Sequence, residues 1–338
     1  TNDGALLTQE KVCGVTTLMS NQTESHNTLS VAVLAGGSSA EAEVSRRSAA
    51  QVHTALQSLG HSSEIVELDR QCVSTLITLQ PDVVFPALHG PPGEDGTVQG
   101  LLEILNVAYV GSGVRGSALA MDKAVAKAVF QQHKLPVCND YVVVQDSNLD
   151  VAVRNIEQRL GNKVAIKPLN AGSAIGVQLL PEGGDLAAAL ALGLQHGDCL
   201  VEPFVQGKEI TVGVLHTAES LQAHPVIEIR TAADQWYDYA NRYTVGSSQH
   251  IIPAELEPNV LTQLQRLALQ AHTALGLRDL SRADFIVTAD NQITLLEVNT
   301  LPGMTPTSLY PDGAAAMGLD FTALIDVLIR TAHERGAN

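Results

Sequence analysis

Two carboxylates and an amide have the spacing of a metal site with oxygen ligands. Apolar and β-branched residues at 282–287 and 293–299 flank a polar turn, a pattern that predicts a β-hairpin. Because side chains alternate between the two faces of a strand, the hairpin places Asp284, Glu297 and Asn299 on one face. Their oxygens suit a hard divalent cation, and Mg²⁺ is usually held by one or two carboxylates together with substrate phosphates. An edge hairpin with solvated acids would show the same pattern, so that alternative stays open here.

The position of the turn predicts the register of this hairpin. With the turn centred on the Asp-Asn pair at 290–291, Asp284 lies opposite Glu297. Phe285 then lies opposite Leu296, and both point away from the acids into a core. The acids therefore share a face exposed to solvent.

Groups that can stabilise negative charge surround the hairpin. Arg282 shares the face of Asp284, where its guanidinium can clamp a phosphate or a developing oxyanion. A turn at 300–305 follows the second strand directly, and its Gly303 can bring a backbone N–H close to a reacting oxygen. These neighbours favour a functional site over a plain edge hairpin.

Length and charge restrict the class of protein. With 338 residues and 45% hydrophobic content, the chain can form two or three domains with their own cores. A net charge of −16 with only 20 Lys and Arg argues against a nucleic-acid binder or a protein drawn to anionic membranes. We therefore expect small-molecule partners, with no nucleic acid and no membrane.

The four cysteines and the hydropathy pattern indicate the compartment. Cys13, Cys72, Cys138 and Cys199 are far apart in sequence and form no C-x-x-C pair, so neither a zinc site nor a disulfide framework is predicted. No apolar run reaches the roughly 18 residues needed to span a bilayer. We predict a cytoplasmic protein and interpret residues 1–28 as an amino-terminal extension or a leader remnant.

Residues 29–118 predict a Rossmann-like domain with a parallel sheet. Short apolar strands alternate with helical segments, as in a parallel sheet covered by helices. Ligands usually bind at the carboxyl ends of such strands, which points to Glu41 and to the glycine-rich turn at 89–96, with His89 and Glu94. Glu41 could instead be placed only to stabilise a helix amino terminus. The predicted strands are 30–35, 64–68, 83–88 and 107–110, and the predicted helices are 40–60, 73–79 and 96–105.

The motif G-x-G-x-x-G occurs at 111–116, but its context argues against dinucleotide binding. That fingerprint belongs to the first strand-helix unit of its sheet and is followed by an acid about 20 residues later. Here the first strand lies far upstream, and the next strand ends near Asp146.

The middle of the chain, 119–207, predicts a smaller domain with a flexible glycine loop. A hairpin over 163–177 carries Lys167 at its base, and its loop contains Gly172, Ser173 and Gly176, whose N–H groups could fold over phosphates. The strand at 200–205 contains a proline, which predicts an edge strand or a connector. A helix at 121–133, a strand at 141–144 and a helix at 149–160 complete this part.

The last part, 208–338, contains the metal hairpin and a long aromatic loop. The loop at 236–250 is polar and rich in aromatic residues, which is typical of a lid. Glu209, in the strand that opens this part, is available to a ribose hydroxyl. A final helix over about 320–335 is expected to pack on what precedes it.

Seven motifs in this order resemble the D-alanine:D-alanine ligases of the ATP-grasp superfamily. The resemblance covers nearly the whole chain and implies mixed α/β and α+β domains that hold ATP between them. The motifs are AGGSSAEAEVS at 35–45, HGPPGEDGTVQG at 89–100, MDK at 121–123, KPLNAGSAIGV at 167–177, EPFVQGKEIT at 202–211, YDYANRY at 237–243, and RADFI with LLEVNTLPGMTPTSL at 282–309.

The resemblance implies a role for each matching residue. The residues that would hold the ATP phosphates are Lys123, Lys167, Arg242 and the loop residues Gly172, Ser173 and Ala174. Glu202 and Val205 would bind the adenine, and Glu209 would bind the ribose. Asp284, Glu297 and Asn299 would bind two Mg²⁺ ions, with Mn²⁺ as a substitute, in agreement with the hairpin prediction. Glu41 would hold the amine of the first D-alanine and link to Ser173 and Tyr243, and His89 would line that pocket. Arg282 and the N–H of Gly303 would stabilise the oxyanion. Ser308 and Leu309 would seat the second substrate.

Three residues depart from the pattern of these ligases. Arg242 stands where lysine is common, Ala174 replaces a common second serine, and Ala171 replaces a polar residue. Backbone N–H groups survive such changes, so we expect ATP binding to persist. Tyr243 is the residue type of dipeptide formers rather than of ligases that use D-lactate.

Three functional hypotheses follow. The first is a D-alanine:D-alanine ligase that acts as a homodimer and supplies peptidoglycan synthesis. The second is a sister ATP-grasp ligase that joins other amino or hydroxy acids, and the third is a nucleotide-binding module without catalysis. The intact set Lys167, Arg282, Asp284, Glu297 and Asn299 argues against the third.

Overall fold

The computed structural model describes residues 28–231, 247–305 and 308–337, and three β-sheets organise them. The first sheet contains strands β1 (Ser30–Ala35), β2 (Ser62–Glu67), β3 (Val83–Pro86) and β4 (Ala108–Tyr109), with helices α1 (Ala42–Ser58), α2 (Cys72–Leu79), α3 (Thr97–Ile104) and α4 (Val114–Met121). All its strand pairs are parallel, in the order β2-β1-β3-β4. Helix α1 covers one face, and α2 and α3 cover the other. The predicted Rossmann-like sheet is confirmed.

The second sheet is antiparallel and belongs to the middle of the chain. It contains β5 (Tyr141–Val143), β6 (Val164–Pro168), β7 (Gln178–Leu180) and β8 (Cys199–Pro203), with helices α5 (Lys123–Gln132), α6 (Leu149–Leu160) and α7 (Leu186–Gly193) and a 3₁₀ turn (Leu194–His196) nearby. The order is β5-β8-β6-β7, so β8 is an inner strand and its predicted edge position is wrong. Pro203 fits the connector alternative better. It is the last residue of β8, so its lack of a backbone N–H does not interrupt the strand pairing.

The third sheet has six antiparallel strands and carries the predicted metal hairpin. It contains β9 (Lys208–His216), β10 (Leu221–Ala223), β11 (Ile227–Thr231), β12 (Ser248–Ile251), β13 (Asp279–Val287) and β14 (Ile293–Asn299), with helices α8 (Pro258–Ala274), α9 (Leu309–Ala315) and α10 (Phe321–Arg335). The order is β12-β11-β9-β13-β14, with β10 paired to β9. Strand β12 corrects the sequence prediction, which assigned its polar residues to the irregular loop; pairing with β11 makes them a strand.

The carboxy-terminal helix joins the first and third parts of the chain. Leu324, Leu328 and Ile329 of α10 pack in one core with β1, β3 and α1. Helix α10 therefore covers the same face of the first sheet as α1, although it follows the third sheet in sequence. This packing fixes the first sheet beside the hairpin, which brings their loops together.

The glycine motif at 111–116 has a structural role at this junction. The N–H of Gly111 donates to Oδ2 of buried Asp279 at 2.7 Å, and Arg335 of α10 pairs with the other oxygen of that carboxylate. Asp279 opens β13, the strand that leads to Arg282. The motif thus connects the first sheet to the start of the metal hairpin.

Candidate active site

A cleft lies where loops from the three sheets converge. It encloses about 660 Å³ of empty space, open solvent included. Ten of the residues predicted to be functional line it: Glu41, His89, Glu94, Lys123, Gly172, Ser173, Arg282, Glu297, Asn299 and Gly303. These residues come from all three parts of the chain, so the fold brings together groups that are up to 262 positions apart in sequence, from 41 to 303.

Glu41 faces this cleft rather than the helix that follows it. It precedes α1, but its side chain makes no capping hydrogen bond. Its carboxylate is 5% exposed and accepts a short hydrogen bond from the hydroxyl of Ser173. A Cβ on Gly172 would lie 2.9 Å from Oε2 of Glu41, so a larger residue there would require this carboxylate to shift. Its position at the amino terminus of α1 also suits an acid because of the helix dipole, so Glu41 fits both interpretations, and the predicted hydrogen bond between Glu41 and Ser173 is present.

The glycine loop connects β6 and β7, which pair as the predicted hairpin. Two of its residues, Ser173 and Ala174, have positive φ angles of 47° and 58°. The N–H of Ile175 donates to the carbonyl of Gly172 at 3.0 Å, which closes a tight turn through these two residues. The successive N–H groups of a turn can form an anion-binding concavity, so the loop is a candidate site for phosphates.

Lys123 connects the glycine loop to the metal hairpin. The side chain of Asp122 caps α5 by accepting the N–H groups of the second and third residues of the helix, which starts the helix at Lys123. The Nζ of Lys123 donates to the carbonyl of Ala171 at 2.7 Å and lies 3.5 Å from Oε2 of Glu297. A cation thus stands between the loop and the predicted metal ligands.

The metal hairpin has the predicted register on its functional half. Asp284 pairs with Glu297, as the turn position predicts. Beyond this pair a β-bulge shifts the register, so Phe285 pairs with Leu295 and the predicted Phe285–Leu296 pair is wrong. Leu295 is the buried residue, whereas Leu296 is only partly buried.

Arg282 clamps Asp284 in this structure. Its Nε and Nη2 donate to the two carboxylate oxygens at 2.9 and 2.8 Å. The hydroxyl of Thr211, on the neighbouring strand β9, donates to Asp284 at 2.6 Å. Thr211 was not predicted from the sequence, because it reaches Asp284 only through the pairing of β9 with β13.

The hairpin residues fit a magnesium ion that takes part of its coordination from a nucleotide. Among residues 28–231, 247–305 and 308–337, no cluster of three or more His, Cys, Asp or Glu side chains could hold a metal ion. The predicted set instead has two carboxylates and the amide of Asn299, whose Oδ1 accepts the N–H of Leu301 at 2.8 Å. Mg²⁺ usually takes one or two carboxylates and completes its octahedron with water and phosphate oxygens. Lys123 and Arg282 now supply positive charge beside these acids.

Two buried titratable groups lie on the first-sheet side of the cleft. Burial, and secondarily the charge of Arg282, lowers the pKa of His89 to about 4, so its imidazole is neutral. Among the described residues, none bonds to its Nε2. Burial, and secondarily the charge of Glu41, raises the pKa of Glu94 to about 8, although the N–H of Gly90 donates to Glu94 at 2.6 Å. The pocket therefore favours neutral side chains at these two positions.

Three charged side chains form a buried cluster at the far side of the glycine loop. Glu202 is 4% exposed and accepts Nζ of Lys167 at 2.6 Å on one oxygen and Nζ of Lys127 on the other. Burial alone would raise the pKa of Glu202, but Lys167 and Lys127 outweigh it and the pKa is lowered. Lys127 was not predicted from the sequence. It lies four residues after Lys123, which places the two lysines on one helix face and could have indicated a shared role.

The turn after β14 brings Gly303 and Ser308 together. A Cβ on Gly303 would lie 2.9 Å from Oγ of Ser308, which accepts the N–H of Thr305 at 3.0 Å. Ser308 precedes α9, and the side chain of Leu309 is buried against Ile227. Of these residues only Gly303 lines the cleft.

The other predicted residues lie outside the cleft lining or outside the described residues. Val205 follows β8, Glu209 lies in β9, and both are partly buried. Arg242 and Tyr243 lie outside the described residues. In the part of the chain that is described, no helix is long and apolar enough to cross a membrane.

Family models match most of the chain. A model described as "D-ala D-ala ligase C-terminus" matches residues 129–330, and one described as "D-ala D-ala ligase N-terminus" matches residues 67–112. The chain is 43% identical over 306 residues to the D-alanine--D-alanine ligase of Acidiphilium cryptum, covering 89% of this chain and 98% of the relative. It is 41% identical over 309 residues to that of Halalkalibacterium halodurans, covering 91% and 100%.

Solved structures give the same likeness. The D-alanine--D-alanine ligase of Bacillus anthracis complexed with ATP is similar with a TM-score of 0.78 and 26% identity, covering 91% of this chain and 98% of that one. The VanG D-Ala:D-Ser ligase of Enterococcus faecalis is similar with a TM-score of 0.77 and 29% identity, covering 90% and 100%. The predicted ATP-grasp architecture, with parallel and antiparallel sheets, is confirmed.

Proposed function

This chain belongs to the family of D-alanine:D-alanine ligases, and from that premise we propose how its cleft performs the reaction. The protein is an ATP-dependent ligase that joins two D-alanines into D-alanyl-D-alanine. One observation carries the assignment of the site: Glu41, Lys123, Ser173, Arg282 and Glu297, from three sheets, line one cleft. A second substrate other than D-alanine is not favoured, since the sequence relatives at 41–43% identity are D-alanine ligases.

Lys123, Lys167 and the glycine loop hold the phosphates of ATP. Support comes from the tight turn through Ser173 and Ala174 next to Gly172, and from Lys123 beside the loop. In a protein with a net charge of −16, these local cations are what an anionic nucleotide needs. Glu202 and Val205 read the adenine, and Glu209 binds the ribose.

Asp284, Glu297 and Asn299 hold two Mg²⁺ ions, for which Mn²⁺ can substitute. The facing pair of carboxylates in the hairpin supports this assignment. When bound, the ions neutralise charge that develops on the transferred phosphoryl group.

The first D-alanine binds beside Glu41, which holds its ammonium group, while His89 lines the pocket. A carboxylate oxygen of this D-alanine attacks the γ-phosphorus of ATP. An O–P bond forms, the bond to the β-phosphate oxygen breaks, and the products are an acyl phosphate and ADP. Charge placement and orientation supply most of the catalysis in such transfers.

The amine of the second D-alanine then attacks the acyl carbon. The resulting tetrahedral intermediate carries an oxyanion that Arg282 and the N–H of Gly303 stabilise. The C–O bond to phosphate breaks, the amine loses a proton, and dipeptide and phosphate leave. Ser308 and the backbone of Leu309 seat the carboxylate of this substrate. The placement is supported by Oγ of Ser308, which lies where a Cβ on Gly303 would approach it to 2.9 Å.

Arg242 and Tyr243 complete the site as lid residues. Arg242 reaches the phosphates, and Tyr243 extends the link between Glu41 and Ser173. These roles follow from the motif YDYANRY and stay predictions.

The remaining sequence predictions carry over as proposals. The extension is 1–28, and the domains are 29–118, 119–207 and 208–338, with α10 of the last domain packed on the first. The protein works as a homodimer in the cytoplasm and supplies peptidoglycan synthesis. Free thiols at Cys72, Cys138 and Cys199 support a reducing compartment.

Oxygen-isotope transfer tests this mechanism. D-alanine labelled with ¹⁸O in its carboxylate is incubated with ATP and Mg²⁺, and the released phosphate is analysed by mass. We expect one ¹⁸O per phosphate, because the attacking oxygen stays with phosphorus when the C–O bond breaks. Unlabelled phosphate from a reaction that makes dipeptide would refute the acyl phosphate.

A further inference from the structure

Helix α5 directs two lysines towards different ends of the nucleotide site. Lys123 and Lys127 are four residues apart, so they share a helix face about 6 Å apart along the axis. Lys123 contacts the glycine loop and approaches Glu297, on the phosphate side. Lys127 instead donates to Oε1 of Glu202, the residue assigned to adenine.

The two lysines that pair with Glu202 differ in their access to the cleft. The side chain of Lys127 is 6% exposed and that of Glu202 is 5% exposed, whereas that of Lys167 is 16% exposed. Lys127 also lies 3.5 Å from Asp140, which fixes it from a second side. Lys167 lies at the end of β6 next to the glycine loop, so of the two lysines it is the one that can move away from Glu202.

The charge balance of the cluster changes when a nucleotide arrives. Before binding, one carboxylate is shared by two ammonium groups. If Lys167 turns to the phosphates, Glu202 stays buried and keeps only Lys127. A buried charge without a partner is costly, so Lys127 is what allows Lys167 to turn away.

We propose that Lys127 is a positioning residue that holds the Glu202 carboxylate in place to accept the exocyclic amine of adenine while Lys167 binds the phosphates. The inference rests on the proposed roles of Glu202 and Lys167. Lys127 itself touches neither base nor phosphate. Its effect is on nucleobase preference, which a lysine that only stabilised the core would not change.

The test replaces Lys127 by methionine, which keeps the length of the side chain and removes its charge. The matched control is Lys163→Met, because Lys163 also pairs with a glutamate, Glu182 at 2.8 Å, but the two side chains are 56% and 83% exposed. Kinetics are measured with ATP and with inosine triphosphate, which has an oxo group in place of the amine. Calorimetry with ADP and inosine diphosphate gives affinities without turnover.

We expect the wild type to prefer ATP, and Lys127→Met to weaken ADP binding and raise KM for ATP by about tenfold or more. Binding of the inosine nucleotides should weaken as well, because Lys167 is then held on Glu202, but by less than the binding of ADP, so the preference for adenine over inosine nucleotides narrows. Lys163→Met should match the wild type. The proposal would be overturned if the wild type showed no preference for adenine over inosine nucleotides. It would also be overturned if Lys127→Met had a lower Tm but an unchanged nucleobase preference.

A second pair of variants keeps the test valid if Lys127→Met does not fold. Glu202→Gln and the double variant Glu202→Gln with Lys127→Met leave no unpaired carboxylate in the cluster. Because Lys127 acts through Glu202, the two should have the same nucleobase preference within about twofold. A further tenfold loss in the double variant would mean that Lys127 acts independently, which contradicts the proposal.

These outcomes are distinct from a failure of the proposed function. ADP binding needs no D-alanine, so it tests Lys127 even if no dipeptide forms. If dipeptide forms normally but Lys127→Met leaves the preference unchanged, only the inference on Lys127 fails.

Discussion

The hydrogen bond from Ser173 to Glu41 joins the glycine loop to the first sheet, and Ser173→Ala should break that link. The neighbouring Ala174 already adopts a left-handed conformation, φ 58°, so alanine is compatible with this backbone. Glu41 is 5% exposed, which leaves little solvent screening. A hydrogen bond to a charged group contributes about 1.5 to 3 kcal/mol, equivalent to a factor of about 10 to 150.

The bond lies between two loops at the cleft rather than inside a core, so its loss should appear in activity more than in stability. We expect kcat/KM for D-alanine at saturating ATP to fall by about 10- to 150-fold, with Tm within about 2 °C of the wild type. Steady-state phosphate release measures the first quantity and thermal unfolding the second. The control is Ser74→Ala on the surface of α2, where the hydroxyl bonds only the preceding turn at 2.8 Å. A fall of less than about threefold in a folded Ser173→Ala protein would refute the coupling of loop and sheet.

Three further predictions concern the same cleft. Gly172→Ala would place a Cβ 2.9 Å from the carboxylate of Glu41 and should raise KM for D-alanine. Gly100→Ala, whose Cβ would have ordinary contact distances, should leave KM unchanged. Equal effects of the two substitutions on KM would contradict the role of Gly172 beside Glu41. Burial, with the charge of Glu41 second, raises the pKa of Glu94 from 4.5 to about 8, so the folded protein binds this proton more tightly than the unfolded chain. The free energy of unfolding should therefore fall as pH rises from about 5 to about 8, by up to about 1.4 kcal/mol per unit, and denaturant titrations of Glu94→Gln should lack that component; an identical pH profile in the variant would count against it. Glu297→Ala should raise the Mg²⁺ concentration for half-maximal activity by about tenfold or more, and an unchanged Mg²⁺ dependence would exclude Glu297 as a ligand.

The sequence predicted strand pairing best where the pairing depends on a nearby turn and on the alternation of side chains. The pairing of Asp284 with Glu297 followed from the turn and the two-residue period of strands, and the structure has it. The next pair was wrong because a bulge adds one residue to one strand, and no periodic pattern reveals the position of a bulge. Leu295 therefore takes the core position expected for Leu296.

Features that depend on distant partners could not be predicted. Lys127 is one lysine on an amphipathic helix, and only the inner position of β8 in its sheet gives it a buried partner. Strand β12 has polar residues of low strand propensity and exists because β11 pairs with it. The packing of α10 against the first sheet likewise depends on contacts between opposite ends of the chain.

The assignment to D-alanine is tested by measuring phosphate release with ATP and Mg²⁺ across a panel of D-alanine, D-serine, D-lactate and L-alanine, with each product identified by mass. We expect release with D-alanine alone and a product with the mass of D-alanyl-D-alanine, one per phosphate. Release only with a different substrate or substrate pair would leave the fold and the acyl phosphate chemistry in place and contradict the assignment to D-alanine.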